Sequence, residues 1–217
     1  MHSVQNSQSS ANAWEVKRQR TRRRIFEAAM DLVEAHGIDN TTVEDICQAA
    51  DISRRTFFNY MDSKDHAILG AFPFDLTEDG LEAIASTPSD NLVALIIESL
   101  EEHPEAADQE HLARRRKLLH QHVELESAAM VRKREAMKAL WRAVDKHFAQ
   151  HPQDRKLDGP VEEEIHAVVE IFFFAVSRYL HLPERPEGTL KANLLRAGAM
   201  FTEFTKELKW NNPVTPA

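Results

Sequence analysis

Residues 53–60, which read SRRTFFNY, have the composition of a helix that binds DNA. Some side chains of this run can bond base edges or phosphates, and others can contact the methyl group of a thymine. The contacts are predicted for Ser53, Arg54, Arg55, Thr56, Phe57, Asn59 and Tyr60. Phe58 follows Arg54 by four residues and is predicted to anchor the helix inward. The run therefore indicates a recognition helix for the major groove.

The segments around this run are spaced as in a helix-turn-helix. A long first helix ends before Gly37, a residue that suits the position after a helix C-terminus. A short second helix is predicted from about 43 to 50, with Thr41 or Thr42 as its N-cap. A break at residues 51–52 then separates it from the recognition helix. The N-caps predicted for the third and fourth helices are Ser53 and Ser63.

A basic stretch lies in the first helix, although the chain as a whole has a net charge of −8. It contains no acidic residue, and its basic residues are Lys17, Arg18, Arg20, Arg22, Arg23 and Arg24. Residues 67–217 hold 18 basic and 25 acidic side chains, so the excess acid lies there. This distribution favours a protein that approaches phosphate with one end only. Thr42 and Lys64 are predicted to contact DNA as well, and the alternative for the basic stretch is a solvated helix face.

Residues 24–69 resemble the TetR family of one-component transcriptional regulators. The resemblance is carried by Ile25, Ala28, Ala29, Leu32, Gly37, Thr41, Thr42, Val43, Ile46, Ala50, Ile52, Ser53, Thr56, Phe58, Tyr60, Ser63, Lys64 and Leu69. Asp51 stands where the family usually has a turn glycine, but Asp tolerates the left-handed conformation better than most residues. Met61-Asp62 replaces the usual Phe-Pro or Phe-Gly, which predicts a shifted angle of the fourth helix. The resemblance implies a three-helix DNA-binding domain, a linking fourth helix, and a larger helical domain that dimerises and binds a ligand.

The predicted fold is all-α, with an N-terminal helix-turn-helix domain and a larger C-terminal helical ligand-binding and dimerisation domain. Only 6 glycines occur in 217 residues, and few segments alternate with period two, which favours helices over sheets. The predicted divisions are a disordered tail (1–13), the DNA-binding domain (14–62), the second domain (63–210) and a frayed tail (211–217). Long helices of the second domain are predicted at 91–102, 105–121, 124–150, 161–182 and 189–210.

Two sets of apolar residues in the second domain are candidate binding surfaces. A helix at 165–182 would be apolar on nearly every side, and such a helix must be covered all round. With the last helix it predicts a two-fold interface between subunits, the alternative being a core within one chain. The interface candidates are Val168, Phe173, Val176, Leu194, Ala197, Phe201 and Phe204. The candidates for an effector pocket, whose character favours a largely apolar effector, are Phe72, Phe74, Leu95, Leu118, Met137, Leu140, Trp141, Val144, Phe148 and Phe172.

Other groups of reactive or charged residues have structural interpretations. Residues 114–117 (RRRK) are predicted to be a solvated helix face, with a site for an anionic head group as the alternative. Glu163 and His166 have the spacing found on one helix of a bundle metal site. Because no second Glu-x-x-His occurs, no metal or cofactor is predicted. Cys47 is predicted to be a buried inert thiol, with a redox switch as the alternative.

These patterns together predict a DNA-binding repressor and not an enzyme. Its predicted partners are a palindromic double-stranded operator, a second copy of the chain, and a small effector that releases it from DNA. The single cysteine, the absence of a long uncharged apolar run and the polar N-terminus predict a cytoplasmic protein without a membrane partner. The alternatives are a metal-dependent helical-bundle enzyme and a DNA-binding protein without an effector.

Overall fold

The computed structural model folds into two compact units. The first comprises Met1–Asp75 and His103–Arg134, and the second comprises Leu76–Glu102 and Glu135–Ala217. The structure describes the backbone of residues 2–70, 72–103, 109–182 and 187–208, and their side chains from Val16 onward except Gln109. The frayed tail predicted at 211–217 lies outside the described residues.

Helices form nearly all of the regular structure, which confirms the all-α prediction. In chain order the elements are α1 (His2–His36), α2 (Val43–Ala49), α3 (Arg54–Phe58), α4 (Lys64–Leu69), β1 (Phe74–Asp75), α5 (Glu78–Ser86), α6 (Leu92–Glu98), β2 (Glu101–Glu102), α7 (Gln109–Gln121), α8 (Val123–Gln150), α9 (Val161–His181) and α10 (Leu190–Glu207). A 3-10 turn at Pro152–Asp154 lies between α8 and α9. No helix in the described ranges is long and apolar enough to cross a membrane.

Side-chain caps fix the starts of the three short N-terminal helices. Thr42, Ser53 and Ser63 each accept a hydrogen bond from the backbone N–H three residues later, at 3.0–3.1 Å. Each cap satisfies one of the amide groups that a helix start leaves without a partner. Thr41, the other cap candidate for α2, is buried, and its hydroxyl donates to the Gly37 carbonyl at 2.9 Å. The predicted caps of α3 and α4 are therefore confirmed.

Several boundaries differ from the predicted ones. Residues 2–13, predicted as a disordered tail, belong to α1, and no glycine or proline interrupts the chain between residues 2 and 24. The helix predicted at 91–102 ends at Glu98. Helix α5 was missed because it lies between proline-containing breaks, and Thr77 caps its start.

The first unit is larger than the predicted DNA-binding domain. Helix α4, helix α7 and residues 123–134 of α8 belong to it, although the sequence assigned them to the second domain. The hydrophobic core explains this grouping, because it contains residues from six helices, which are α1, α2, α3, α4, α7 and α8. Its fully or almost fully buried members include Ile25, Ala29, Met30, Ile46, Phe57, Ile68, Leu118 and Leu125. The elements that fill this core together therefore belong to the first unit.

The second unit packs α6, α9 and α10 against one another, with α5 against α6. Its buried residues include Ile84, Ile96, Val144, Ile165, Phe172 and Leu194. Buried Glu164 holds the loop before α9, since its carboxylate accepts from the Lys156 amide at 2.5 Å and from the Arg155 guanidinium at 3.2 Å. This network explains how a charged residue is tolerated on the buried side of α9.

Candidate DNA-binding surface

The turn between α2 and α3 has the geometry that the sequence predicts. Asp51 takes a positive φ of 49°, the left-handed conformation expected for the residue that replaces the family's glycine. At the start of α2, the Asp45 carboxylate accepts from the Thr42 amide at 2.9 Å, which completes a reciprocal capping box. The hydrogen bond that the Thr42 hydroxyl donates to the Asp45 carboxylate at 2.6 Å, together with the one from the Thr42 amide, lowers the pKa of Asp45. The local sequence therefore fixes both the start of α2 and the turn that follows it.

Arg24 supports this turn from α1. Its guanidinium donates to the carbonyl of Ala50 and, at 3.1 Å, to the carbonyl of Asp51. The sequence predicted that Arg24 would contact DNA, and the structure shows it occupied by the protein backbone instead. Those carbonyls follow the last turn of α2 and accept no hydrogen bond within that helix, so they are available to the Arg24 guanidinium.

The two phenylalanines of α3 have roles opposite to those predicted. Phe57 is 0% exposed and lies in the core, whereas Phe58 is 48% exposed. Residues four apart share one face of a helix, so Phe58 lies on the side of Arg54, which needs solvent. Phe57 shares its face with Met61, which is also buried. The predicted thymine contact by Phe57 and the predicted inward position of Phe58 are therefore both wrong.

The solvent-facing side of α3 presents the side chains that can reach DNA. Arg54, Arg55, Phe58 and Asn59 are all exposed. Arg54 forms an ion pair with Glu44 of α2, and its guanidinium lies 5.5 Å from the centre of the Phe58 ring. The exposed side of α3 therefore combines cationic groups, an amide and an aromatic ring, a set suited to phosphates and base edges.

Four other residues predicted to contact DNA, on or beside α3, have structural roles. The Ser53 hydroxyl caps α3 and lies 2.8 Å from the hydroxyl of half-buried Thr56. Tyr60 packs against the core of the first unit. Lys64 donates from its ammonium group to the Ile38 carbonyl at 2.8 Å, which joins the start of α4 to the start of the loop after α1. Fewer residues on or beside α3 are therefore exposed for contact with DNA than the sequence predicted.

The basic stretch divides between solvent and the interior of the first unit. Lys17, Arg18 and Arg20 are exposed on α1 and stay candidates for phosphate contact. Arg23 pairs with Glu27 one turn later at 2.7 Å. Arg22, by contrast, is only 18% exposed and lies 4.0 Å from a carboxylate oxygen of Asp75. Its position on α1 faces the first unit, and the predicted DNA contact by Arg22 stays a prediction.

The effector-pocket candidates are distributed over both units. Phe72, Phe74 and Leu118 lie in the first unit, where Leu118 is a core residue. The second unit holds Leu95, Met137, Leu140, Trp141, Val144, Phe148 and Phe172. Within that unit Leu95, Met137 and Trp141 are half-buried and the others are buried. Which of these side chains line a pocket stays a prediction.

Some of the predicted dimer contacts are already covered within one protomer. Val176, Leu194 and Ala197 are buried where α9 packs against α10, so they offer little surface to a second copy. Val168, Phe173 and Phe201 are half-buried, and Phe204 is 60% exposed. The spacing of apolar residues along α9 and α10 did not distinguish the residues buried within one protomer from those that stay accessible. The exposed residues that it missed are Phe174 and Met200.

The remaining candidates are placed as follows. Cys47 is buried, and burial raises the pKa of its thiol, as expected of an inert cysteine. Glu163 and His166 are exposed. The His166 ring packs edgewise on Trp141, with 6.5 Å between the two ring centres. The described ranges contain no group of three or more potential metal-ligating side chains. Arg115, predicted to be solvated, is buried.

Comparison with known proteins identifies the N-terminal region. Residues 25–68 match the family model for bacterial regulatory proteins of the tetR family. The chain is 39% identical over 62 residues to the transcriptional regulator MftR of Mycobacterium tuberculosis, covering 29% of this chain and 31% of that protein. It is 40% identical over 53 residues to the HTH-type transcriptional regulator TcmR of Streptomyces glaucescens, covering 24% of each chain. The matches thus span less than a third of these relatives' lengths.

Two solved structures show a distant overall likeness. The regulator GusR of Salmonella enterica is 18% identical, with a TM-score of 0.42 over 86% of this chain and 95% of that chain. The Thermus thermophilus FadR repressor, solved with lauroyl-CoA, is 23% identical, with a TM-score of 0.37 over 90% of this chain and 100% of that chain. Neither score is high enough to establish a shared arrangement of the whole chain. Residues 25–68 are therefore similar to the helix-turn-helix region of the bacterial tetR family of regulatory proteins.

Proposed function

We propose that this chain is a transcriptional repressor that binds a palindromic DNA operator as a homodimer in the cytoplasm and leaves it when a small molecule binds. The observation that carries the proposal is the exposed side of α3. Phe57 is the residue of α3 that is buried in the core, whereas Arg55, Phe58 and Asn59 are exposed. Exposed side chains on a recognition helix are available to read base edges.

The apolar side of α9 and α10 supports the homodimer. Phe174, Met200 and Phe204 are exposed there, and the Phe174 ring lies 4.9 Å from that of Phe201. At Gly198 no atom of the described residues lies within 4 Å of the position that a Cβ would occupy, which leaves room for the close approach of a partner helix. Exposed apolar patches of this kind are typical of contact surfaces between proteins. A two-fold axis through this side would give two recognition helices for two inverted half-sites.

The composition of the first unit supports release by an effector. Helix α7 and residues 123–134 of α8 share one core with α1–α4. A ligand that moves α7 or the start of α8 must therefore disturb the packing of the helices that hold α3. Couplings between ligand and DNA of about 1–3 kcal/mol, or roughly 5–150-fold in affinity, are typical of such proteins.

The experiment is a selection of bound duplexes from random double-stranded DNA with the purified full chain. We expect inverted half-sites whose centres lie about one helical turn of DNA apart or a multiple of it. A single asymmetric site would contradict the homodimer, and no enrichment at all would contradict DNA reading. Sedimentation of the wild type and of Phe204→Asp tests the homodimer separately, since a charge at this exposed position should favour the monomer without disturbing the core.

A further inference from the structure

A buried guanidinium without a carboxylate partner lies inside the first unit. Arg115 of α7 is only 8% exposed. Its Nε donates to the Leu69 carbonyl at the end of α4, at 2.8 Å, and its guanidinium lies 5.1 Å from the centre of the Phe72 ring. These two contacts position the group but leave its charge without compensation. Burial of a charge in a protein is costly unless an opposite charge accompanies it.

The charged residue that affects Arg115 is itself a cation. Within the described residues, burial and the nearby guanidinium of Arg132 lower the pKa of Arg115 to about 10, and no carboxylate acts in the opposite direction. The group therefore still carries its positive charge at neutral pH. Arg132, on the part of α8 that belongs to the first unit, is subject to similar effects. Partial loss of its water shell lowers the pKa of Arg132. The carboxylates of Asp75 and Asp62 raise this pKa, and the guanidinium of Arg22 lowers it further.

Two hydrogen-bond donors in the same neighbourhood lack acceptors within the described part of the chain. They are Nε of Arg22 on α1 and Nε2 of His66 on α4, both buried. Nδ1 of His66 lies 3.3 Å from the Asp62 amide nitrogen and 3.3 Å from an Asp62 carboxylate oxygen, and in the tautomer that accepts from the amide the ring proton lies on Nε2. Burial and the proximity of Arg132 and Arg22 lower the pKa of His66, with Asp62 opposing them, which favours the neutral ring.

The acidic groups nearby do not balance these cations. Asp75 lies 4.0 Å from Arg22, but the same carboxylate oxygen is bonded to His103 at 2.9 Å. The side chain of Asp62 is 97% exposed and therefore well screened by water. The neighbourhood thus holds the largely buried guanidinium groups of Arg22 and Arg115 and the exposed one of Arg132, against the half-buried carboxylate of Asp75 and the exposed carboxylate of Asp62. A group with negatively charged oxygens would supply the missing acceptors and the missing charge together.

We propose that Arg22, His66, Arg115 and Arg132 form a binding site for an oxyanion, a carboxylate or a phosphate, and that this oxyanion is the charged group of the effector. The second part rests on the proposed function. Phe72 lies against Arg115, and its ring packs edgewise on Phe74 at 5.2 Å. The ligand class is therefore an amphipathic anion whose apolar portion can reach these rings. The four donors come from α1, α4, α7 and α8. A bound oxyanion would therefore connect α1, which supports the turn before α3, to α4, α7 and α8.

The test measures binding of small probes by isothermal titration calorimetry to the full chain in the absence of DNA. Benzoate and inorganic phosphate represent the two sources of the oxyanion, and benzamide is the neutral counterpart of benzoate. We expect benzoate, phosphate or both to bind and benzamide not to bind. Arg115→Met should weaken this binding at least about tenfold, the effect of losing a charged hydrogen bond. Lys117→Met, an exposed position on the same helix, should leave it unchanged.

Further variants keep the test decisive. Arg132→Met removes a cation that reaches solvent, so it should weaken the probes without unfolding the chain even if Arg115→Met unfolds it. Equal affinity of the wild type and Arg132→Met, equal affinity of benzoate and benzamide, or no binding of either anion would overturn the proposal. Because these titrations contain no DNA, they are independent of operator binding. If the anions bind but do not change DNA affinity, the site stands and its identification as the effector site fails.

Discussion

Truncation of the two neighbouring phenylalanines of α3 gives opposite results in this structure. Phe57 is 0% exposed in the core of the first unit, so Phe57→Ala should cost about 3–5 kcal/mol of unfolding free energy. Phe58 is 48% exposed, and Phe58→Ala loses the contact with the Arg54 guanidinium, about 0.5–1 kcal/mol, and the edgewise contact with the Phe57 ring, about 0.5–1.5 kcal/mol. Phe57→Ala should therefore be the more destabilising of the two substitutions.

Urea denaturation followed by far-UV circular dichroism measures both costs, and DNA binding is measured on the variants that stay folded. We expect a large fall in the transition midpoint for Phe57→Ala and a small one for Phe57→Leu, which preserves most of the volume. Phe58→Ala should keep the midpoint near that of the wild type and bind DNA more weakly. Equal destabilisation by Phe57→Ala and Phe58→Ala would refute the orientation of α3 described above.

Three further predictions concern the helix-turn-helix. Arg24→Ala should lower the unfolding free energy by about 1–3 kcal/mol, because two carbonyls of the turn lose a charged donor; unchanged stability with weaker DNA binding would instead indicate a phosphate contact. Glu44→Gln should strengthen DNA binding a few-fold at low salt by releasing Arg54, and weaker binding would count against that role. Asp45→Asn should destabilise the fold at neutral pH. Hydrogen bonds from Thr42 lower the pKa of Asp45 in the folded state, so its stabilisation is full above the usual value of about 3.9 and disappears as the pH falls below it. A wild-type-to-variant difference that did not change with pH would contradict this explanation.

Local features of the structure could be predicted from the sequence because local chemistry determines them. The N-caps of α3 and α4 and the left-handed Asp51 depend on residues within one helical turn of themselves. Gly37, with a φ of 81°, likewise ends α1 as its position predicts. The recognition helix could be located for the same reason. Its orientation was also available in principle, since the four-residue spacing from Arg54 places Phe58 on the solvent side.

The positions that were predicted wrongly depend on partners far along the chain. Arg24 bonds to carbonyls 26 and 27 residues away, and Lys64 bonds to one 26 residues away. A run of basic residues does not reveal such partners, so every arginine of α1 appears equally free to reach DNA. Arg115 is the extreme case, since a sequence of RRRK indicates solvent and only the packing of α7 against α4 shows its burial.

The central claim, that the exposed side of α3 reads bases, is tested most directly at Arg55. Binding of the wild type and of Arg55→Ala should be measured on the selected operator and on duplexes with each base pair substituted in turn, with Arg142→Ala, an exposed position on α8, as the control. We predict that the wild type discriminates by about 1–3 kcal/mol at one position in each half-site, and that Arg55→Ala loses this preference while keeping the others. The control should match the wild type throughout. A uniform loss of affinity for every duplex would show that Arg55 contacts only phosphate and would contradict base reading by this residue.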